Sequence, residues 1–317
     1  SGEHNTALGH GAGQGITTGE RNLAVGYLAM QGAANNVTGD DNYALGQQAL
    51  EDLTSGTDNV AIARNAARNI TTGTRNIAIG RDAGNAITTG TGNIAIGPDA
   101  GISIMTGGNH IAIGKEALAN GVVTSQDQNI AVGSFALEYM TSGSYNVGVG
   151  YNAGKKITTG TYNIAIGNNP MGTTAGVTGG YNIGMGHDAL EDLTSGTYNI
   201  GLGRNAGANI TTGSENVAIG YNALNARTTG NGGIAIGTNA VAGYTGTNQF
   251  VVIGHNAFDA AGGMVESVGV GNAVGTAMTS GQWNVFVGHN TASSRASGSN
   301  NVFMGYLSGS GSSASGG

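Results

Sequence analysis

The chain has 317 residues, of which 61 are glycine, two are proline and none is cysteine. Charged residues make up 9% and the formal net charge is −7 with no Lys/Arg cluster, which excludes a basic nucleic-acid stripe, disulfides, thiolate chemistry and collagen. No stretch reaches the roughly 18 consecutive apolar residues of a membrane helix, and the regular recurrence of Ile, Val and Ala is unlike a Gly-rich linker.

The start, Ser1-Gly2-Glu3, is no signal peptide and reads as an internal boundary or a processed end. Asn5-Thr6-Ala7-Leu8-Gly9 then opens a motif, Asn-(Ile/Val)-Ala-(Ile/Val)-Gly. Its closing position recurs at Gly9, Gly26, Gly46, Ala63, Gly80, Gly97, Gly114, Gly133, Gly150, Gly167, Gly186, Gly203, Gly220, Gly237, Gly254, Gly271, Gly288 and Gly305. Of the 17 intervals between these 18 copies, 14 are 17 residues long and the others, ending at Gly46, Gly133 and Gly186, are 20, 19 and 19. The inserted residues are placed in surface loops. Self-similarity of this kind predicts a repeat architecture. The expected fold is an all-β parallel β-solenoid (β-roll) of about 18 coils with a 17-residue repeat over residues 1–308, followed by a flexible Gly/Ser tail over 309–317. Coils stacked at ~4.8 Å give a rod on the order of 85 Å long.

Residues 76–92 are typical of one copy. Ile77 and Ile79 share one face of an extended strand, and Ala78 points to the other. A second short strand is expected through Ile87-Thr88-Thr89, because β-branched residues suit a pleated surface. Gly80 and Gly90 stand where the chain reverses, where glycine tolerates positive φ. Residues 47–53 and 188–193 look helical for a single turn. The central small residue (Ala24, Ala61, Ala78, Ala95, Gly148, Gly201) lets another backbone come close, either the opposite wall of a narrow coil or a neighbouring chain. Toward the C-terminus Val252, Phe286 and Phe303 break that row, together with Phe250, Phe258 and Trp283, which implies wider or differently packed coils.

Rows of like residues are the candidate sites. The motif Asn stands in 14 of 18 copies, among them Asn22, Asn42, Asn59, Asn76, Asn93, Asn129, Asn146, Asn163, Asn182, Asn199 and Asn216, with His110, Gly233, Phe250 and Ser267 replacing it elsewhere. It is read as a structural amide ladder rather than a ligand row. Tyr145, Tyr162, Tyr181 and Tyr198 all precede the motif Asn and form the best candidate contact row, with stacking for stability as the alternative. Thr-Thr or Thr-Ser pairs, such as Thr71-Thr72 and Thr88-Thr89, could order water, but adjacent residues point to opposite faces, so strand propensity explains them more simply. His10, His187, His255 and His289 each follow a closing glycine; they lie mostly many coils apart, so a tolerant surface turn fits better than a metal site. Glu51-Asp52 and Glu191-Asp192 lack a pocket as catalytic pairs. No catalytic residue, cofactor or metal is expected.

The phrases in residues 76–97 and 146–167, with Thr-Thr-Gly and Gly220-Tyr221-Asn222-Ala223-Leu224, resemble two related repeat types. One is the head repeat of trimeric autotransporter adhesins, whose period is slightly shorter; the other, closer in length, is the repeat of phage tail-fibre-like proteins. The resemblance implies a homotrimer of parallel β-rolls acting as an extracellular, cell-surface or virion shaft or adhesive head, with no catalysis. The self-cleaving chaperone that often ends such fibres is not in the sequence, which runs out in a Ser/Gly tail. Partners expected are the chain itself and a cell-surface glycan or protein receptor, not nucleic acid. A competing reading is a self-assembling extracellular filament joined head to tail through uncapped solenoid ends; a weaker one is an ice- or glycan-binding solenoid.

Overall fold

The computed structural model describes residues 2–33, 36–121, 128–172, 175–247, 249–259 and 264–311. Residues 312–317 of the expected tail lie outside the described residues, as do 34–35, 122–127 and 173–174 within the three longer repeat intervals. The chain divides into two compact units, Ser1–Thr161 and Tyr162–Gly317. Both are parallel β-solenoid, and the all-β chain makes about 17 turns with a repeat of about 17 residues.

In the first unit nine described strands of three residues run from Thr6–Leu8 to Val147–Val149. Each pairs in parallel with the strand one repeat away, in a register that sets like against like: Ile77 with Ile94, Ala78 with Ala95, Ile79 with Ile96. The second unit carries nine described strands of three or four residues in the same sheet pattern, from Ile164–Ile166 to Val302–Met304. It adds a two-residue parallel pair, Met264–Val265 with Gly281–Gln282.

The small face of each strand is the inside. Ala24, Ala44, Ala61, Ala78 and Ala95 are fully buried, while the Ile and Val beside them are half-buried and turned outward. Of the two neighbours open to the small row, it meets the opposite wall of its own solenoid. An added Cβ at Gly148 would lie 2.8 Å from the Ala153 carbonyl oxygen and 2.9 Å from Leu137 Cγ. The large core residues come instead from two other rows, four and seven places after the closing glycine. Leu50, Leu137 and Leu190 stand in the first, and Ile70, Ile87, Ile104 and Ile210 in the second, all fully buried. Each such side chain contributes about 1.5–3 kcal/mol by leaving water.

Three expectations about local structure change. The Ile87-Thr88-Thr89 segment forms no strand. Its backbone does bond coil to coil, Thr71 N–H to the Thr88 carbonyl at 3.0 Å, but Gly73 N–H converges on the same carbonyl at 3.3 Å, so the chain bends inward after one rung. Residues 47–53 and 188–193 form turns, not helix. Gln48 (φ 57) and Leu50 (φ 50) are both left-handed, as are Asp188 (φ 55) and Leu190 (φ 53), and this alternation cannot carry helical hydrogen bonds. A left-handed Leu costs about 1–2 kcal/mol, an amount its burial offsets. Finally, only one of the two glycines is at positive φ. Gly80 has φ 133, whereas Gly90 is needed for close approach: a Cβ there would lie 2.5 Å from the Gly107 carbonyl oxygen. Ala63, the one closing residue that is not glycine, takes φ 101.

The C-terminal coils keep the 17-residue spacing and are packed differently. Phe258 is fully buried, and Cβ atoms added at Gly269 and Gly275 would lie 2.1 and 2.5 Å from its ring. Phe286 stacks on Phe258 at 5.7 Å between centroids, and Phe303 on Phe286 at 5.5 Å. Large residues here are matched by glycine opposite, which conserves volume.

Candidate functional site

The motif Asn row runs inside the coil wall. Asn76 shows the pattern: its N–H and Nδ2 donate to Asn59 Oδ1 at 3.0 and 3.1 Å, and Nδ2 also donates to the Gly90 carbonyl at 2.8 Å. Asn93 then donates to Asn76 Oδ1 through N–H and Nδ2 at 3.0 and 3.1 Å. Within the first unit Asn22 and Asn42 donate Nδ2 to the Gly39 and Gly56 carbonyls, and Asn59 and Asn146 donate Nδ2 to Asn42 and Asn129 Oδ1. His110 keeps the row going, its Nδ1 accepting from the Asn129 N–H at 3.3 Å. In the second unit Asn182, Asn199 and Asn216 each donate Nδ2 to the preceding Asn, beginning at Asn163. These side chains are fully or almost fully buried. Amides whose donors and acceptors face one another have no capacity left for a ligand.

The tyrosines lie outside the wall, between 43% and 56% exposed. In the second unit Tyr162 stacks on Tyr181 and Tyr181 on Tyr198, each at 4.9 Å between centroids with rings within 12° of parallel. Tyr145 holds the same repeat position in the first unit, with the same left-handed backbone (φ 57) as Tyr162 and Tyr198 (φ 57 and 58). A stacked row presents ring edges and hydroxyls outward, while the stacked faces are spent on each other. A ligand would be met along the edge of the row.

The first Thr of each pair is half-buried or exposed, and several bond the backbone one coil on: Thr54 Oγ1 donates to the Thr71 carbonyl at 3.0 Å and Thr194 Oγ1 to that of Thr211 at 3.0 Å. The second residue, as at Thr72, Thr89, Thr159 and Thr212, is exposed. Glu51 is nearly buried and accepts from Gln48 and Arg68. Burial, followed by the Glu51 charge, raises the pKa of Asp52, against the pull of Arg68. His187 Nδ1 lies 2.6 Å from Asp188, and His10 and His289 stack on Tyr27 and Tyr306. Among the described residues no three metal-ligating side chains gather, and no helix is long and apolar enough to cross a membrane.

Sequence reasoning missed Arg227. It occupies the core row of Ile70, Ile87 and Ile210 and is fully buried. Its Nη2 donates to the carbonyls of Asn231 and Thr247 at 2.8 and 3.2 Å, while Nε and Nη1 are unpartnered. The guanidinium lies 5.0 Å from the Phe250 ring centroid. Burial pulls its pKa down to about 10. The space is provided by Gly230 and Gly233, where added Cβ atoms would lie 2.1 and 2.3 Å from it. This is where the Asn row lapses, and alignment of the repeats would have shown both departures together. A shallow open groove of about 240 Å³ lies beside Phe250, Gln249 and Glu266. Its carboxylate, Glu266, already accepts from the Trp283 indole at 2.8 Å.

Comparison with protein-family models matches none, and comparison with curated proteins matches none.

Proposed function

We propose that the chain is a structural and adhesive fibre segment, assembled from copies of itself outside the cell or on a virion, and without catalysis. The observation that carries this is the outer face of the strands. In each unit it is a continuous parallel sheet built mainly of Ile, Val, Leu and Met, 36% exposed at Leu45, 37% at Ile62, 40% at Met185 and Ile253, and 69% and 67% at Leu8 and Met304 on the end strands. Parallel sheets occur almost only with both faces covered. Here the inner face is covered by the solenoid's own opposite wall, and the outer face by nothing among the described residues. Contiguous apolar surface of this kind marks an interaction site.

A second copy is the natural cover. Its rows recur at the same coil spacing, so side chains can interlock turn after turn, whereas an unrelated partner meets this pitch only by coincidence. The resemblance of the repeat to tail-fibre-like and autotransporter head repeats favours three copies. Saturated inner ladders fit a load-bearing role better than chemistry.

Light scattering on the purified chain is the test. A discrete species near three times the 31.2 kDa chain mass supports the reading. A mass that grows with concentration favours a head-to-tail filament instead. A monomer that persists at high concentration overturns self-assembly.

A further inference from the structure

The acidic chain has three lysines, Lys115, Lys155 and Lys156, and the fold brings all of them to one place in the first unit. They come from coils two repeats apart, one place after Gly114 and five and six places after Gly150, with the aromatic-rich coil of Phe135 and Tyr139 between them. Backbone bonds fix the arrangement: Phe135 N–H donates to the Lys115 carbonyl at 2.9 Å and Tyr139 N–H to the Lys155 carbonyl at 3.0 Å. Lys115 and Lys155 then sit 5.2 and 4.8 Å from the Phe135 ring centroid, and Lys156 sits 3.9 Å from that of Tyr139. Tyr151, half exposed, packs edge-on against Phe135 at 5.9 Å.

The charges do not cancel within the cluster. Lys155 pairs with the buried Glu138 at 2.9 Å and Lys115 with Glu116 at 3.2 Å, the latter an exposed pair of little worth. Lys156 has no carboxylate partner among the described residues. Three ammonium groups against two carboxylates leave a local positive charge on a chain of net charge −7. Ammonium groups held over rings, beside an exposed aromatic, match a ligand that is anionic and flat-faced at once. Nucleic acid would need many more cations along a stripe.

We infer that this cluster is a binding subsite for an acidic polysaccharide. Lys115 and Lys156 receive the sugar carboxylates, Tyr151 offers a stacking face, and Lys155, tied to Glu138, positions the aromatic coil. This extends the adhesive part of the proposed function by naming a ligand class, but it does not require that the chain oligomerise.

Calorimetric titration tests it, using polygalacturonate, hyaluronate and polysialate, with methyl-esterified polygalacturonate and single-stranded DNA as controls. At least one acidic polysaccharide is expected to bind more tightly than both controls. The double variant Lys115→Gln/Lys156→Gln should weaken that binding ~10-fold or more, with an unchanged melting temperature and light-scattering mass. Tyr151→Ala should weaken it as well. Absence of binding by all three polysaccharides, equal binding of DNA, or full affinity in the double variant overturns the inference. A monomeric chain that still binds would sink the self-assembly reading and leave the subsite standing; an oligomer that binds none would do the reverse.

Discussion

Two stretches solve the same interior problem with opposite chemistry. Around Asn42, Asn59, Asn76 and Asn93 the inside of the wall is a saturated amide row beside fully buried Ala and Ile. Around Arg227, Tyr244, Phe250 and Phe258 the amide row is gone: Phe250 stands in its place, and a cation and aromatic rings occupy the core rows beside it. Strand register is continuous through both, Ile77 to Ile94 in one and Val251 to Val268 in the other. The strand ladder therefore does not depend on the amide row. What the row supplies is satisfaction of buried polar backbone, and the aromatic coils replace that with packing against glycine. The exchange is incomplete, since Arg227 keeps two unpartnered nitrogens.

The sharpest way to break this comparison is in the aromatic stretch. Phe286→Ala removes the middle ring of the stack and should cost about 3–5 kcal/mol in denaturant unfolding of a cooperative transition. Asn76→Ala comes next. It orphans the Asn93 N–H and the Gly90 carbonyl in a buried wall, at about 1–3 kcal/mol for each group before the wall relaxes, and a net loss of ~2–4 kcal/mol is expected. A neutral result for Asn76→Ala would mean that the row is decoration. Arg227→Met should move the other way, stabilising by about 1–3 kcal/mol, because a buried cation without a carboxylate is replaced by an apolar side chain of similar length. Its pKa, pulled down by burial, gives a matching pH effect. The folded state binds the proton less well than the unfolded, so the penalty is full below about 10 and eases as pH rises above that value. Arg227→Met should abolish this easing in urea titrations at alkaline pH. The smallest effect belongs to Ala63→Gly, which relieves an alanine at φ 101 in a position glycine holds elsewhere. A gain of about 1 kcal/mol is expected.

Much of this was legible in the sequence, for a simple reason. A 17-residue period makes each copy a replicate of the others, so the strand Ile77–Ile79 and its shared face follow from alternation alone. Alternation does not say which face is inside. Ala78 points in because the opposite wall is too near for anything larger, a fact about coil width that no single copy reveals. The turn after Gly46 was misread as helical because Leu50 and Leu53 have helical spacing. The warning was there, since Gly84, Gly101 and Gly154 hold the place of Leu50 in other copies, marking a left-handed residue. Gly92 does the same for the tyrosine position. The lysine cluster was hidden differently: Lys115, Lys155 and Lys156 look scattered until the coils are laid side by side.

The central claim, that the outward Ile and Val rows are covered by copies of the chain, can be tested by placing single thiols on a cysteine-free background. Ile79→Cys lies on the sheet's outer face and Thr89→Cys on an exposed bend of the same repeat. Maleimide labelling of the assembled protein should modify Thr89→Cys rapidly and Ile79→Cys slowly, with both reacting quickly once the assembly is dissociated. Equal, rapid labelling of the two in the native protein would show the apolar face open to water and contradict the account.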